Sequence, residues 1–329
     1  MSEEKEAIKT TGKYKIIEKQ NPTFYFIGVT TSKSSIMKIF PLWMNELGKQ
    51  EISIEGMDLK IHDDAENYRQ AVAQIKYDHN SIGSLVTTHK MDLYSAAEDM
   101  FDYFDDYAKL LMEISSISKN NGKLEGHAKD PISSGLSLEH VIDKEYFSRT
   151  KAHMLIFGAG GSSIATILYT ITRREHSDKP EKIVVINRSQ PRLDHLKEII
   201  QKLNADINIE YICNQDPKMN DRKMSSLPPY SIVINATGMG KDTPGSPITD
   251  KGLFPENGIA WEFNYRGELD FMHQAERQKD SRSVKAEDGW IYFVHGWTQV
   301  ISQVLHIEMT EELFDRLIRI ANSIRLIKI

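Results

Sequence analysis

Eight residues constrain this chain more than any others: Gly158-Ala159-Gly160-Gly161-Ser162-Ser163-Ile164-Ala165, placed directly after the apolar run Met154–Phe157. A buried strand that must stop and turn at once into a helix needs a residue free of the usual steric limits, and Gly158 supplies it. Gly160 leaves a backbone bare enough for a pyrophosphate to approach. The helix that opens at Ser162 offers unpaired N–H groups and a partial positive charge to an anion. Ser163 stands where the commonest pattern has a third glycine, and small Ala165 keeps helix and strand close. The plainer alternative is a glycine turn with no ligand. The strand before the turn and the helix after it favour the phosphate site.

The units that follow repeat the theme. Ile183–Asn187, Ile209–Cys213, Ser231–Asn235 and Ile259–Phe263 read as strands, separated by helical stretches such as Ser162–Arg173 and Leu193–Leu203. Strands alternating with helices imply parallel β-structure with helices on both faces, a doubly wound sheet of Rossmann type. The residues after the second strand select the dinucleotide. An acid there would accept hydrogen bonds from a ribose and repel a 2′-phosphate. This chain has Asn187-Arg188-Ser189 instead, with Arg192 close by. A guanidinium can grip a phosphate with charge-assisted bonds and stack on adenine, so the expected cofactor is NADP(H). Asn235-Ala236-Thr237-Gly238-Met239-Gly240 is a further strand end and turn, placed to face the nicotinamide half.

At 329 residues two domains are the reasonable division. A net charge of −6 argues against non-specific nucleic-acid binding. The opening MSEEKEAIKTTGKY lacks a signal-peptide core, and no apolar run approaches bilayer-spanning length, so a cytoplasmic chain that avoids membranes is expected. The single cysteine, Cys213, reads as a small residue on a strand. In the first half, Phe24–Val29, Gly83–Thr88 and Ile114–Ser118 read as strands, and Ile36–Leu47 and Ala65–Tyr77 as helices, with Pro41 a kink or boundary. Ala96–Met112 reads as one helix with a solvated acidic face rather than a metal site. Thr310 is placed to cap a final helix.

Taken in order, these segments resemble the shikimate dehydrogenase family along nearly the whole chain. GAGGSSIA is similar to its glycine loop, INRS to its NADP strand end and NATGMG to its Asn-Ala-Thr turn. Glu262-Phe263-Asn264-Tyr265 resembles its Asp-x-x-Tyr segment, and Asp288-Gly289 the Asp-Gly whose glycine backbone lies against the nicotinamide. Gly28–Ser35 resembles its substrate loop, Leu85–Lys90 its Val-Thr-x-Pro-x-Lys segment, and Gly122–Asp130 its Gly-x-Leu-x-Gly-x-Asn-Thr-Asp segment. The resemblance implies an N-terminal α/β substrate-binding domain over residues 1–145, a Rossmann-type NADP-binding domain over 146–290, and C-terminal helices over 291–329 returning towards the first. It implies Lys90 and Asp130 as the acid/base pair, Ser34, Thr87, Ser115 and Tyr265 at the substrate, and Gly158 to Ser162, Asn187, Arg188, Ser189, Arg192, Thr237 and Gly289 at the cofactor.

Alcohol oxidation by hydride loss needs a group to take the hydroxyl proton, and reduction needs one to supply it, which a shielded lysine oriented by an aspartate can do. On spacing alone, a surface Lys–Asp pair serves equally well. Several pocket positions depart from the family: Ile36, Ser115, Ala128 and Gly296 replace hydrogen-bonding residues, Thr88 replaces a proline and Val86 a threonine. Lost polar contacts change substrate choice strongly. His295 and Gln299 could supply replacement contacts, and His89 and His127 read either as pocket or as surface histidines. The expected partner is therefore a small cyclic hydroxy/keto carboxylate or polyol of the shikimate or quinate type, with monomer or homodimer left open. The resemblance places such chemistry in the shikimate pathway of aromatic amino-acid biosynthesis. A catalytically silent NADPH sensor on the same fold is the alternative. An oxidoreductase of the methylene-tetrahydrofolate or glutamyl-tRNA reductase kind would lack the Lys90 and Asp130 spacing.

Overall fold

Two short runs of apolar and β-branched residues, Thr23–Gly28 and Met154–Phe157, are buried at every position and become interior strands of two separate sheets. The computed structural model describes residues 7–326, apart from 173–177, 204, 206 and 242; the expected helix end at Arg173 and the last residues to Ile329 fall outside that range. The chain divides into two compact units, one comprising residues up to Lys129 together with those from Trp297 onwards, the other Asp130–Gly296.

The first unit opens with a hairpin of β1 (Ile8–Thr11) and β2 (Tyr14–Ile17), whose exposed backbone is satisfied by Gln70 and Gln74 of the helix Ala65–Tyr77. Six further strands, β3 (Thr23–Gly28), β4 (Ser53–Asp58), β5 (Ser81–Val86), β6 (Tyr103–Phe104), β7 (Ser116–Asn120) and β8 (Lys123–His127), form one sheet in the order β4-β3-β5-β7-β8-β6. Strands β4, β3 and β5 are parallel, and β7 runs antiparallel to both β5 and β8.

Two expectations fail here for packing reasons. The expected helix forms as Ile36–Glu46, and Pro41 lies inside it rather than at a boundary. Its buried face of Ile36, Ile39, Phe40, Trp43 and Met44 seats Phe40 against Phe24 at 5.1 Å and lets Trp43 Nε1 donate to the Leu317 carbonyl at 2.8 Å. Burying that face outweighs the roughly 3 kcal/mol an interior proline costs a helix. The single acidic helix expected over Ala96–Met112 is also absent. Lys90–Ala97 is helical, a 3-10 turn follows, then β6, then a helix over Asp106–Leu111. Two of the acids there cap backbone groups: Asp102 accepts from Leu124 N at 2.8 Å and Asp105 from Ala108 N at 2.7 Å. Thr310 does cap the last helix, Glu311–Leu326, accepting from Leu313 N at 3.2 Å.

The second unit carries β9 (Met154–Phe157), β10 (Ile183–Asn187), β11 (Ile209–Cys213), β12 (Ile232–Asn235), β13 (Ile259–Glu262) and β14 (Lys285–Glu287). They form one wholly parallel sheet in the order β11-β10-β9-β12-β13-β14. The direction of strand order reverses between β9 and β12, which opens a crevice at their carboxyl ends. The helix Asp130–Val141 belongs to this unit because it packs on the helix Gly161–Thr172. A Cβ on Gly135 would lie 2.0 Å from the Tyr169 ring, and Ser134 and Thr166 share a hydroxyl hydrogen bond of 2.5 Å. The division thus falls after Lys129, where the sequence put it after residue 145.

Candidate active site

The reversal point holds the glycine turn. Gly158 sits at φ +105°, and a Cβ there would meet the Ala236 carbonyl oxygen at 2.8 Å, so the turns after β9 and β12 can lie together only if this residue is glycine. Gly160 differs: a Cβ there would meet only the end of Arg192, at 3.8 Å. No packing within the described residues demands a glycine at 160, and the open backbone there lies at the amino end of the helix Gly161–Thr172. Ala159 is buried, while Gly161 and Ser162 start the helix. Ser163 is fully buried and its hydroxyl has no partner among the described residues.

At the end of β10, Asn187 donates to the Ser189 carbonyl at 2.9 Å and fixes the turn from which Arg188 projects into solvent. Neither Arg188 nor Arg192 forms an ion pair with a described residue. Cys213, at the end of neighbouring β11, is exposed.

The floor of the crevice is polar and fully connected. Asn235 and Glu262 are register partners on β12 and β13, and both are buried. Asn235 donates to Glu262 Oε2 at 2.6 Å, and its own oxygen accepts from the backbone and hydroxyl of Thr237 at 3.1 and 2.6 Å. Asn264 donates to Glu262 Oε1 through its side chain at 2.6 Å and its backbone at 2.8 Å, and also reaches the Met239 carbonyl at 3.1 Å. Burial pushes the Glu262 carboxyl up to about 7 in spite of these bonds, and the charge of Asp288 adds to the rise. Gly289 is required by the protein itself, since a Cβ there would meet the Phe263 carbonyl oxygen. Tyr265 packs its ring against Phe293 at 4.8 Å and Trp290 at 5.5 Å, and burial raises its phenol. His295 is buried, and that burial, with the charge of His140 as a smaller contribution, pushes its imidazole down to about 3, so it is neutral at any ordinary pH.

Of the other candidates, Ser34, Thr87, Lys90 and Ser115 belong to the first unit and gather at one sheet end, beyond the carboxyl ends of β3, β4 and β5, whereas Asp130 opens the helix Asp130–Val141 of the second unit. The loop after Gly28 is anchored by Asp58, which accepts from Thr31 N at 2.8 Å and Thr31 Oγ1 at 2.6 Å, and Ser34 lies half-buried on that loop. Thr87 follows β5, its methyl 3.1 Å from where a Cβ on Gly28 would stand. Lys90 begins the next helix, and its carbonyl accepts from Ile114 N at 3.1 Å. Ser115 is buried, donating to the His127 carbonyl at 3.4 Å and accepting from Lys129 N at 2.7 Å, which leaves one lone pair for any further partner. Asp105 holds the same segment, accepting from Ala128 N at 3.2 Å. Burial would raise Asp105, but the bonds from His127, Ala108 and Ala128 prevail and hold it low. His89 and His127 are not surface residues. Both are buried, His89 with Nδ1 3.2 Å from the Tyr68 hydroxyl and His127 with Nε2 3.1 Å from Ser118 Oγ. Ile36 is wholly buried in the helix face described above.

No family model matches the chain. Among curated proteins it is 28% identical over 178 residues to the shikimate dehydrogenase (NADP+) of Lactococcus lactis subsp. cremoris, a match covering 54% of this chain and 59% of that protein. This chain is thus similar in sequence to shikimate dehydrogenases. Its matches span 59 to 62% of the length of the first such relatives. Among solved structures, a shikimate dehydrogenase in complex with NADP+ matches with a TM-score of 0.69 at 18% identity, over 94% of this chain and 98% of that one. A quinate dehydrogenase from Corynebacterium glutamicum in complex with NAD matches with a TM-score of 0.70 at 16% identity, over 92% and 99%. The shikimate dehydrogenase fold, an α/β chain with a Rossmann-type parallel sheet, therefore extends over nearly all of this chain. Sequence reasoning read Glu262 only as a variant of that family's Asp-x-x-Tyr segment. The signal that could have exposed its role was Asn235, at the matching strand end.

Proposed function

We propose that this protein is an NADP(H)-dependent oxidoreductase acting on a CH–OH group, moving a hydride between the nicotinamide and a cyclic hydroxy/keto carboxylate or polyol of the shikimate or quinate type. The observation that carries this reading is the glycine turn at the reversal point of a six-stranded parallel sheet, flanked by Arg188 where an NAD enzyme would hold an acid. The sequence relatives bear the name shikimate dehydrogenase (NADP+), which agrees with that reading of Arg188. Bound there, the dinucleotide supplies the hydride chemistry. Gly158 to Ser162 and Arg192 receive its phosphates, Asn187, Arg188 and Ser189 its adenosine end, and Thr237 and Gly289 its nicotinamide half. Lys90 gives or takes the hydroxyl proton as the hydride moves, and Asp130 orients it. Ser34, Thr87, Tyr265 and the remaining lone pair of Ser115 hold the substrate. The protein works on a small molecule within the cytoplasm; no helix among the described residues is long and apolar enough to cross a membrane.

The second reading, a cofactor-binding sensor without turnover, is favoured by one observation. The altered positions Ile36 and Ala128 are fully buried in the protein core, where they offer a substrate nothing polar. NADP+ reduction with shikimate and with quinate separates the two. Turnover by the wild type that falls at least about 100-fold in Lys90→Ala, with NADPH affinity unchanged, is the expected result. No turnover with any cyclic hydroxy acid, in protein that binds NADPH, would give the sensor reading.

A further inference from the structure

We propose that Glu262 is a positioning residue for the nicotinamide-side turn: its ionised carboxylate, acting through Asn235 and Asn264, holds Thr237–Met239 in the form that binds the cofactor. This rests on the dinucleotide reading of the crevice.

The hydrogen-bond polarity runs one way. Every bond to Glu262 comes from an N–H: Asn235 Nδ2 on Oε2, and Asn264 N and Nδ2 on Oε1. A carboxylate can only accept, so it compels both amides to turn their NH2 groups towards it. With its NH2 committed, Asn235 must present its oxygen to the turn, where it takes the backbone N–H and hydroxyl of Thr237. The Thr237 hydroxyl in turn accepts from Met239 N at 3.2 Å. From the other side, Asn264 Nδ2 reaches the carbonyls of Thr237 at 3.4 Å and Met239 at 3.1 Å. The backbone N–H and C=O groups of Thr237 and Met239 are therefore set by one buried charge that touches none of them. Parallel register brings Glu262 beside Asn235 on β12, and the Asp288 carboxylate acts on it from the residue just past β14.

Replacing the carboxylate by an amide of the same shape reverses the polarity at one oxygen and sets donor against donor. Protonation does nearly the same. Burial places Glu262 near neutrality, so the wild type should lose its hold on the turn as the pH falls through about 7. The 2′-phosphate of NADPH also titrates near pH 6, so the quantity to read is the ratio of wild-type to Glu262→Gln affinity, in which the phosphate contribution cancels.

NADPH dissociation constants for both proteins would be measured by calorimetry from pH 6 to pH 8, with amide hydrogen exchange at residues 235–239 in the cofactor-free proteins. The expected ratio is about tenfold at pH 8 and falls towards one at pH 6, with faster exchange at Thr237 and Met239 in the variant at pH 8. A ratio that stays constant with pH would make Glu262 a purely structural residue and overturn the proposal, as would unchanged affinity and exchange. If Glu262→Gln does not fold, Asp288→Asn replaces it: relief of that charge should shift the wild-type affinity profile to lower pH, and an unmoved profile overturns the proposal. Failure of the wild type to bind NADPH at all would instead overturn the dinucleotide reading.

Discussion

The two sheet ends that carry the candidate residues treat their polar groups in different ways. At the carboxyl edge of the second unit, Arg188 and Arg192 make no ion pair with a described residue, and a Cβ at Gly160 would meet only the end of Arg192. At the corresponding edge of the first unit the polar groups answer one another. Ser115 bonds the backbone of His127 and Lys129, Asp105 bonds Ala128, and Asp58 bonds Thr31. The second unit's edge thus leaves two guanidinium groups without an ion pair among the described residues, while its Asn235–Glu262–Asn264 floor, like the first unit's edge, uses its donors to hold its own loop. The contrast teaches that retention of a motif and availability of its side chains are separate matters. The basic strand end of the second unit has both, whereas the first unit has kept residues whose hydrogen bonds are partly engaged already.

Mutations can break or sharpen that contrast. The largest effect is expected at Arg188→Ala, which should weaken NADPH binding by about 10- to 100-fold and leave NADH within about twofold, read by fluorescence titration. Equal losses for both nucleotides would mean that Arg188 does not contact the extra phosphate. Gly158→Ala should cost about 1–3 kcal/mol of stability in thermal unfolding, because the residue must hold a positive φ with its Cβ against the Ala236 carbonyl. Ser115→Ala should cost about 1 kcal/mol in urea unfolding, since it leaves the part-buried backbone N–H of Lys129 without its acceptor. Should that variant instead keep its stability and raise the substrate KM sharply, the first-unit edge would be as open as the second. The smallest change in stability is expected for Gly160→Ala, within about 0.5 kcal/mol, accompanied by weakened NADPH binding.

How much of this was legible in the sequence depends on the range of the interaction concerned. The parallel sheet, the glycine turn and the basic strand end are local signals, written in residues that are neighbours in the chain, and they appear in the structure as the residues imply. Helix capping by Thr310 is local in the same sense. Pro41 misled because its cost is local, whereas the contacts that offset it, Phe24 and Leu317, lie far off in sequence. The acidic stretch from Ala96 to Met112 misled for a related reason: Asp102 caps a strand more than twenty residues later. His89 and His127 carried no sign of burial because their partners, Tyr68 and Ser118, are supplied by other elements. Glu262 was the least legible, since its meaning lies in pairing with Asn235 across two parallel strands.

The pair Gly158 and Gly160, two positions apart, also keeps a historical record. The first is demanded by the fold, while no packing among the described residues demands the second. A lineage that stopped using the dinucleotide would go on purging substitutions at 158 while those at 160 drifted. Deep mutational scanning under two selections, one for abundance and one for activity, would reproduce that divergence in the laboratory: tolerance at 160 should depend on the selection applied, and intolerance at 158 should not.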